Sequence, residues 1–181
     1  MSCIFVEKLE KSQGEAVVSP ERKDQMIKIE VPGFGGVALD HLVMDYNGTM
    51  ACDGTLLDGV AALVETLAKD LKVHVLTADT FGQVAKELDG LPVNLQILGP
   101  ENQDLAKRKY VEKLGAGAVV SVGNGRNDGP MLELAKIGIA LVQEEGASID
   151  TLMCADIVCK DIRDALTLLL KPQRLMATLR T

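Results

Sequence analysis

Four clusters of polar residues stand at points where apolar runs of this chain end or turn. The first is Asp45-Tyr46-Asn47-Gly48-Thr49, at the close of Leu42-Val43-Met44. The second is Thr77-Ala78-Asp79, the third is Lys107 within Lys107-Arg108-Lys109, and the fourth is Gly123-Asn124-Gly125-Arg126-Asn127-Asp128. In an open α/β sheet, ligands bind where the carboxyl ends of the strands splay apart. A carboxylate, a hydroxyl, an ammonium and a glycine-rich polar turn can therefore meet in one crevice. Such a set suits an anion held beside a cation with hard oxygen ligands. Each residue also has a plainer reading. Asp45 can cap a strand-to-helix turn, Lys107 to Lys109 can be a solvated helix face, and the glycines can serve a merely structural turn.

The elements that would position these residues follow from periodicity. An alternating strand from Met26 to Val31, a Pro32-Gly33 turn and Val37-Ala38-Leu39 form a small hairpin within residues 26–40. From Leu42 onward strands and helices alternate, which predicts right-handed crossovers and a parallel sheet. Strands are expected at 42–45, 73–77, 93–98, 118–122 and 137–141, with a sixth at 156–158 on the edge. Helices are expected at 60–69, after a cap at Asp79 or Thr80, from the Asn102 cap to Leu114, and from Asp161 to Leu170. The fold class is thus α/β in three layers, Rossmann-like, with a central parallel sheet of five or six strands and helices on both faces. Residues 26–181 read as one domain and residues 1–25 as an extension of mixed composition. Lys171 to Arg180 reads as a packed tail helix or a docking element.

Composition limits the partners. The chain has 181 residues, is 47% hydrophobic and 3% aromatic, and carries a formal charge of −7. An acidic chain lacking Lys/Arg clusters does not suit a nucleic-acid backbone. Its apolar runs fall short of the roughly 20 residues that span a bilayer. No secretion signal is visible at the N-terminus, so a cytoplasmic location is expected. Four cysteines without a His-completed set read as reduced, mostly buried thiols.

The motifs taken together resemble the haloacid dehalogenase (HAD) superfamily of aspartate-nucleophile phosphohydrolases. Within it they resemble the phosphorylation domain of P-type ATPases, over roughly Leu42 to Ile157. Asp45-Tyr46-Asn47-Gly48-Thr49 is similar to the family's Asp-x-(Asp or Thr)-Gly-Thr. Gly123 to Leu132 is similar to its Gly-Asp-Gly-x-Asn-Asp-x-x-x-Leu, and Thr77-Ala78-Asp79 to the Thr-Gly-Asp of the ATPases. The resemblance implies that Asp45 accepts the phosphoryl group and binds Mg²⁺. Asp128, Asn124 and the backbone carbonyl of Asn47 would complete the metal ligands. Thr77 and Lys107, with Lys109 as runner-up, would hold phosphoryl oxygens together with Asn47, Gly48 and Ala78. Thr49, Asp79, Gly123, Gly125 and Asn127 would support them.

Two residues depart from the pattern. Asn47 stands where phosphatases of the family carry an acid/base Asp, and an amide cannot shuttle a proton. Asn124 stands where the family has an acid that binds Mg²⁺. No long insertion supplies a cap, so the site should be open unless another subunit, in a homo-oligomer, covers it. The expected function is a cap-less, Mg²⁺-dependent phosphohydrolase of a small phosphorylated substrate, slowed by Asn47. The alternative is a regulatory module that binds phosphate or metal with negligible turnover.

Overall fold

A computed structural model describes residues 26–78 and 83–181. The extension read over 1–25 and the helix cap read at Asp79 or Thr80 lie outside the described residues. The chain opens with the antiparallel hairpin β1 (Ile27–Val31) and β2 (Gly35–Leu39), in which Ile27 pairs with Leu39 and Val31 with Gly35. Strand β3 (His41–Asp45) follows, then a two-stranded flap, β4 (Ala51–Cys52) and β5 (Thr55–Leu56). Helix α1 (Val60–Leu67), β6 (Lys72–Thr77), α2 (Gln83–Glu87), β7 (Val93–Ile97) and α3 (Gln103–Leu114) come next. The second half contributes β8 (Val119–Gly123), α4 (Gly129–Leu134), β9 (Ile137–Leu141), α5 (Ile149–Met153), β10 (Ile157–Cys159), α6 (Ile162–Leu170) and α7 (Pro172–Leu179).

Six parallel strands form the central sheet in the order β10-β9-β8-β3-β6-β7. The chain leaves β3 toward β6 and β7, then returns to β8 on the opposite flank. The order therefore reverses between β3 and β8, and the crevice of such a sheet opens beyond the carboxyl ends of those two strands.

Side-chain alternation decides which helix meets which face. Leu42 and Met44 point into the larger core, with Val64, Leu67, Leu166 and Leu169 of α1 and α6. Val43 points into the smaller one, with Val111 of α3 and Met131 and Leu132 of α4. Asp45 is two residues beyond Val43 and so shares its face. That places the carboxylate on the α3 side of the sheet.

Several local expectations are corrected. Asn102 occupies the N-cap position of α3 in a left-handed conformation, but its side chain makes no capping bond. Helices α4 and α5, of six and five residues, give too few turns to leave a periodic apolar stripe in the sequence. Pro130 fits the first turn of α4, where its missing N–H costs nothing. Of the three described cysteines, Cys159 is buried, whereas Cys52 and Cys154 are only partly so, and all three are free. The C-terminal segment is a packed helix: Leu175 is buried, Met176 and Leu179 rest against the core, and Thr181 N donates to Pro32 O at 3.2 Å. No helix among the described residues is long and apolar enough to cross a membrane.

At the amino end of the sheet, the His41 and His74 rings meet at 2.9 Å, and His74 Nδ1 lies 3.0 Å from Tyr110 Oη of α3. Asp40 lies 3.2 Å from His41 and 2.8 Å from Lys72. Burial, helped by His41 and Lys72 and opposed by Asp40, pulls the His74 pKa from 6.5 down to about 4. The folded chain thus holds His74 neutral where an unfolded chain would take up a proton. Stability from this source is complete above pH 6.5 and is lost as pH falls toward 4. Urea unfolding at several pH values between 7 and 4.5 should show this loss, with a shallower slope for His74→Gln. Equal slopes would remove His74 from the acid response.

Candidate active site

Asp45 closes β3, and the chain turns directly after it. Tyr46 O accepts from Thr49 N at 3.2 Å, Met50 N at 2.8 Å and Ala51 N at 3.0 Å, while Gly48 N donates to Ala51 O at 2.8 Å. Tyr46 is fully buried and its hydroxyl donates to Gly54 O at 3.1 Å, which ties the turn to the flap. Gly48 has φ +73°, and a Cβ there would stand 2.4 Å from Asn124 Nδ2. Both the left-handed backbone and the close approach of the second loop require glycine.

Lys107 provides the central contact. Its Nζ lies 2.6 Å from Asp45 Oδ1 and 2.6 Å from Asp128 Oδ1, and its side chain is 2% exposed. The helix face selects it: Lys107 and Val111, four residues apart, are the buried residues of α3. Arg108 is 45% exposed and pairs loosely with Glu133 at 3.8 Å, and Lys109, the runner-up, is exposed. Burial alone would lower the Lys107 pKa, but the carboxylates of Asp128 and Asp45 reverse this and leave it raised. Asp45 is raised from 3.8 to about 7, first by burial and then by the charge of Asp128, against the pull of Lys107. With both carboxylates ionised, the two around one ammonium leave a negative charge uncompensated.

Asp128 is held from its own loop. Its Oδ2 accepts from Asn124 N at 3.0 Å and Gly125 N at 2.9 Å, and it is fully buried. A Cβ at Gly123 would fall 2.5 Å from Asp128 Cγ, so this glycine lets the carboxylate fold back over the strand end. Asn127 Nδ2 donates to Gln103 Oε1 at 3.0 Å and so joins the loop to the start of α3. Thr77 ends β6 and is 3% exposed, with Ala78 partly buried behind it. Asp79, read as a supporting residue, lies outside the described residues.

Asn124 is 8% exposed and its carboxamide is engaged. Nδ2 donates to Gly146 O at 3.0 Å, and Oδ1 accepts from Thr49 Oγ1 at 3.4 Å. Asn47, by contrast, is exposed. The available donors are oxygens, which suits a hard divalent cation, and the surplus negative charge does too. Asp45, with a side chain 14% exposed, is the carboxylate of the pair that solvent reaches; that of Asp128 is 0% exposed. A recess of about 560 Å³ lies beside this cluster, bordered by Asp104, Arg126, Asn127 and Asp150. It adjoins the loop rather than Asp45, so charge and not concavity locates the candidate chemistry. Thr151, which carries no local motif, donates its hydroxyl to Gly125 O at 2.6 Å and props the same loop.

No protein-family profile matches the sequence. Uncharacterized protein MJ0073 of Methanocaldococcus jannaschii is 42% identical over 83 residues, spanning 44% of this chain and 89% of that protein. Among solved structures, one named as a HAD superfamily (subfamily III A) hydrolase from Legionella pneumophila superposes with TM-score 0.63 at 16% identity, covering 78% of this chain and 87% of that one. The 3-deoxy-D-manno-octulosonate 8-phosphate phosphatase of Moraxella catarrhalis, in complex with magnesium ion, phosphate ion and KDO, gives TM-score 0.58 at 17% identity, covering 78% and 94%. A zinc-transporting PIB-type ATPase in its E2.Pi state gives 0.51 at 27% identity over 68% of this chain, which spans only 20% of the transporter. The chain has the haloacid dehalogenase fold of these solved structures, and it belongs to the family of the M. jannaschii protein.

Proposed function

We propose that this chain is a cap-less phosphohydrolase of small phosphorylated molecules, with Asp45 as the phosphoryl acceptor. The observation that carries the proposal is the buried Lys107 ammonium, 2.6 Å from both Asp45 and Asp128 at the carboxyl edge of the sheet. A carboxylate oxygen of Asp45 attacks phosphorus and forms an acyl phosphate. The bond to the leaving oxygen breaks, and its electron pair departs with that oxygen. Water then attacks the acyl phosphate, releases phosphate and restores Asp45. Attack of one anion on another needs positive charge to offset repulsion. Lys107 supplies one such charge from within the chain, and the Thr77 hydroxyl is assigned to a phosphoryl oxygen.

Mg²⁺ fits the remaining requirement, because the donors are oxygens and the cluster is one positive charge short. Asp45 would hold it, with the Asn47 carbonyl, Asp128 and Asn124 as further donors; when bound it would screen the charge of the incoming phosphoryl group. The magnesium, phosphate and KDO found together on the Moraxella phosphatase support a metal and a small phosphorylated substrate for this chain as well. Asp45→Asn should abolish hydrolysis of an aryl phosphate. It should also abolish binding of beryllium fluoride with Mg²⁺ in a calorimetric titration. Full activity in that variant would sink the mechanism.

Asn47 bears on rate. General acid–base help is worth about 10²–10⁴ in rate, and an amide gives none. Restoring a proton-transfer group with Asn47→Asp should raise turnover at least about tenfold on an alkyl phosphate, whose leaving oxygen needs protonation. The gain on an aryl phosphate should be smaller. Equal, negligible gains would show that position 47 does not face the leaving group.

A second reading, a phosphate- or metal-binding module with negligible turnover, is favoured by Asn124, a neutral donor engaged with Gly146 and Thr49 that leaves one lone pair of its Oδ1 and no charge for a metal. In Asn124→Asp, carboxylate oxygens would face the Gly146 carbonyl, leaving that acceptor unpaired at a cost of about 1–3 kcal/mol. The metal-free variant should therefore melt at a lower temperature than wild type, and millimolar Mg²⁺ should recover more stability in the variant than in wild type. An identical Mg²⁺ response in both proteins would remove residue 124 from the metal's surroundings.

A further inference from the structure

We infer that Gln143 is a positioning residue that fixes the Gly48–Thr49 turn, and through it the Asp45 carboxylate, for the phosphoryl transfer proposed above. Gln143 lies two residues beyond β9 and belongs to none of the recognised motifs. Its Nε2 donates to Gly48 O at 3.1 Å and to Thr49 O at 2.9 Å, and its Oε1 accepts from Ile162 N at 2.6 Å. Gly48 and Thr49 are buried in the turn after β3, beyond the last β3 residues that pair with β6 and β8. Ile162 N is the first N–H of α6, one of the four that a helix leaves without an internal partner. The neighbouring cap, Asp161, takes Arg163 N at 2.7 Å instead. One side chain therefore satisfies three main-chain groups on two separate elements.

Glutamine is the residue type that can do this. The carboxamide offers two hydrogens, one for each carbonyl, and an oxygen for the helix N–H. Glutamate keeps the acceptor but presents lone pairs to both carbonyls. Lysine keeps donors but has no acceptor for the helix. The support beneath Gln143 is firm, since Val142 N donates to Cys159 O at 2.9 Å and extends the β9–β10 pairing. The same segment reaches the other catalytic loop as well. Ser148 N donates to Asn124 O at 3.0 Å, and Gly146 O accepts from Asn124 Nδ2 at 3.0 Å. Residues 143–148 thus bridge the Asp45 turn and the Asn124 turn. The two halves of the proposed site are registered against each other through them. Near-attack geometry is sensitive to displacements of about 1 Å, which can lower rates about 100-fold.

The test uses two variants of the full chain that separate the ends of the side chain. Gln143→Glu should lower kcat about tenfold or more with KM changed less than about threefold, because transition-state alignment is lost rather than ground-state binding. Gln143→Lys should retain most of kcat and show its defect as a lower melting temperature. A residue that merely caps α6 would give the reverse order, with the glutamate variant active and the lysine variant impaired; that order would overturn the inference. Hydrogen exchange provides a readout independent of turnover. Amides of residues 48–51 should exchange faster in Gln143→Glu and near the wild-type rate in Gln143→Lys. Unchanged exchange there in the glutamate variant would overturn the positioning role. Failure of the phosphohydrolase proposal shows separately, as a wild-type rate no higher than that of Asp45→Asn, and exchange still decides whether Gln143 holds the turn.

Discussion

One ammonium buried between two carboxylates sets the terms for everything at the carboxyl edge of this sheet. Taking a lysine out of water is costly, and its partners must recover that cost through short contacts and further hydrogen bonds. The 2.6 Å contacts of Lys107 with Asp45 and Asp128 meet the first condition. The backbone amides of Asn124 and Gly125 on Asp128 meet the second. Removing Lys107 leaves two facing carboxylates without a counter-charge in a site with little access to water, and removing either carboxylate abolishes the negative surplus, so the three side chains act as one unit. The unit joins β3, α3 and the loop after β8, and the register of those elements is therefore tied to the chemistry. Its negative surplus is what suits it to the cation proposed above, which a neutral, fully paired triad would not attract.

Around that triad, the chain spends side-chain to main-chain hydrogen bonds on irregular backbone. The turn after Asp45 folds onto Tyr46 O, the turn after Gly123 folds onto Asp128, and Gln143 with Gly146 bridges them. Buried peptide groups outside regular elements must find partners, and here the partners come from the loop after β9. Strands alone would fix only where each loop begins. The cross-loop bonds fix where each loop goes, and the proposed phosphoryl transfer needs the second as much as the first.

The legible part of this molecule is the part written in periodicity or in glycine spacing. The hairpin at 26–40, the six strands and the helices α1 and α6 follow from apolar runs, alternation and 3.6-residue stripes, and α3 from the residues that bound it; the parallel sheet follows from the alternation of strands and helices, whereas its strand order shows only in the fold. Asp45 and Asp128 stood out through the motifs Asp45-Tyr46-Asn47-Gly48-Thr49 and Gly123 to Leu132, which resemble those of the haloacid dehalogenase superfamily. Lys107 stood out from Lys109 only weakly in the sequence, since both sit in a basic run. Its position on the same face as Val111 separates them. Helices α4 and α5 were not visible because five or six residues give a period no room to repeat. Gln143 and Thr151 were invisible for a different reason. A polar side chain that serves distant main-chain groups leaves no local pattern, and only the folded arrangement brings Gln143 to Gly48, 95 positions away.

The two asparagines that stand where an acid is expected are not equivalent, and the difference separates structure from chemistry. Asn124 is 8% exposed, donates to Gly146 O and accepts from Thr49. A carboxylate there would set lone pairs against a carbonyl oxygen, so the amide is demanded by the bridge between the loops whatever the protein catalyses. Asn47 is exposed, and the main-chain contact that its residue makes, a bridge to Ala51, does not depend on side-chain type. No packing argument calls for an amide at that position. If both substitutions were consequences of a decayed site, nothing would hold the buried triad in place, because replacing a buried ion pair by well-packed apolar residues is often neutral or stabilising. The triad is intact and tightly paired. On the phosphohydrolase proposal, the site would retain its charge and its acceptor while lacking the side chain that would hurry the leaving group.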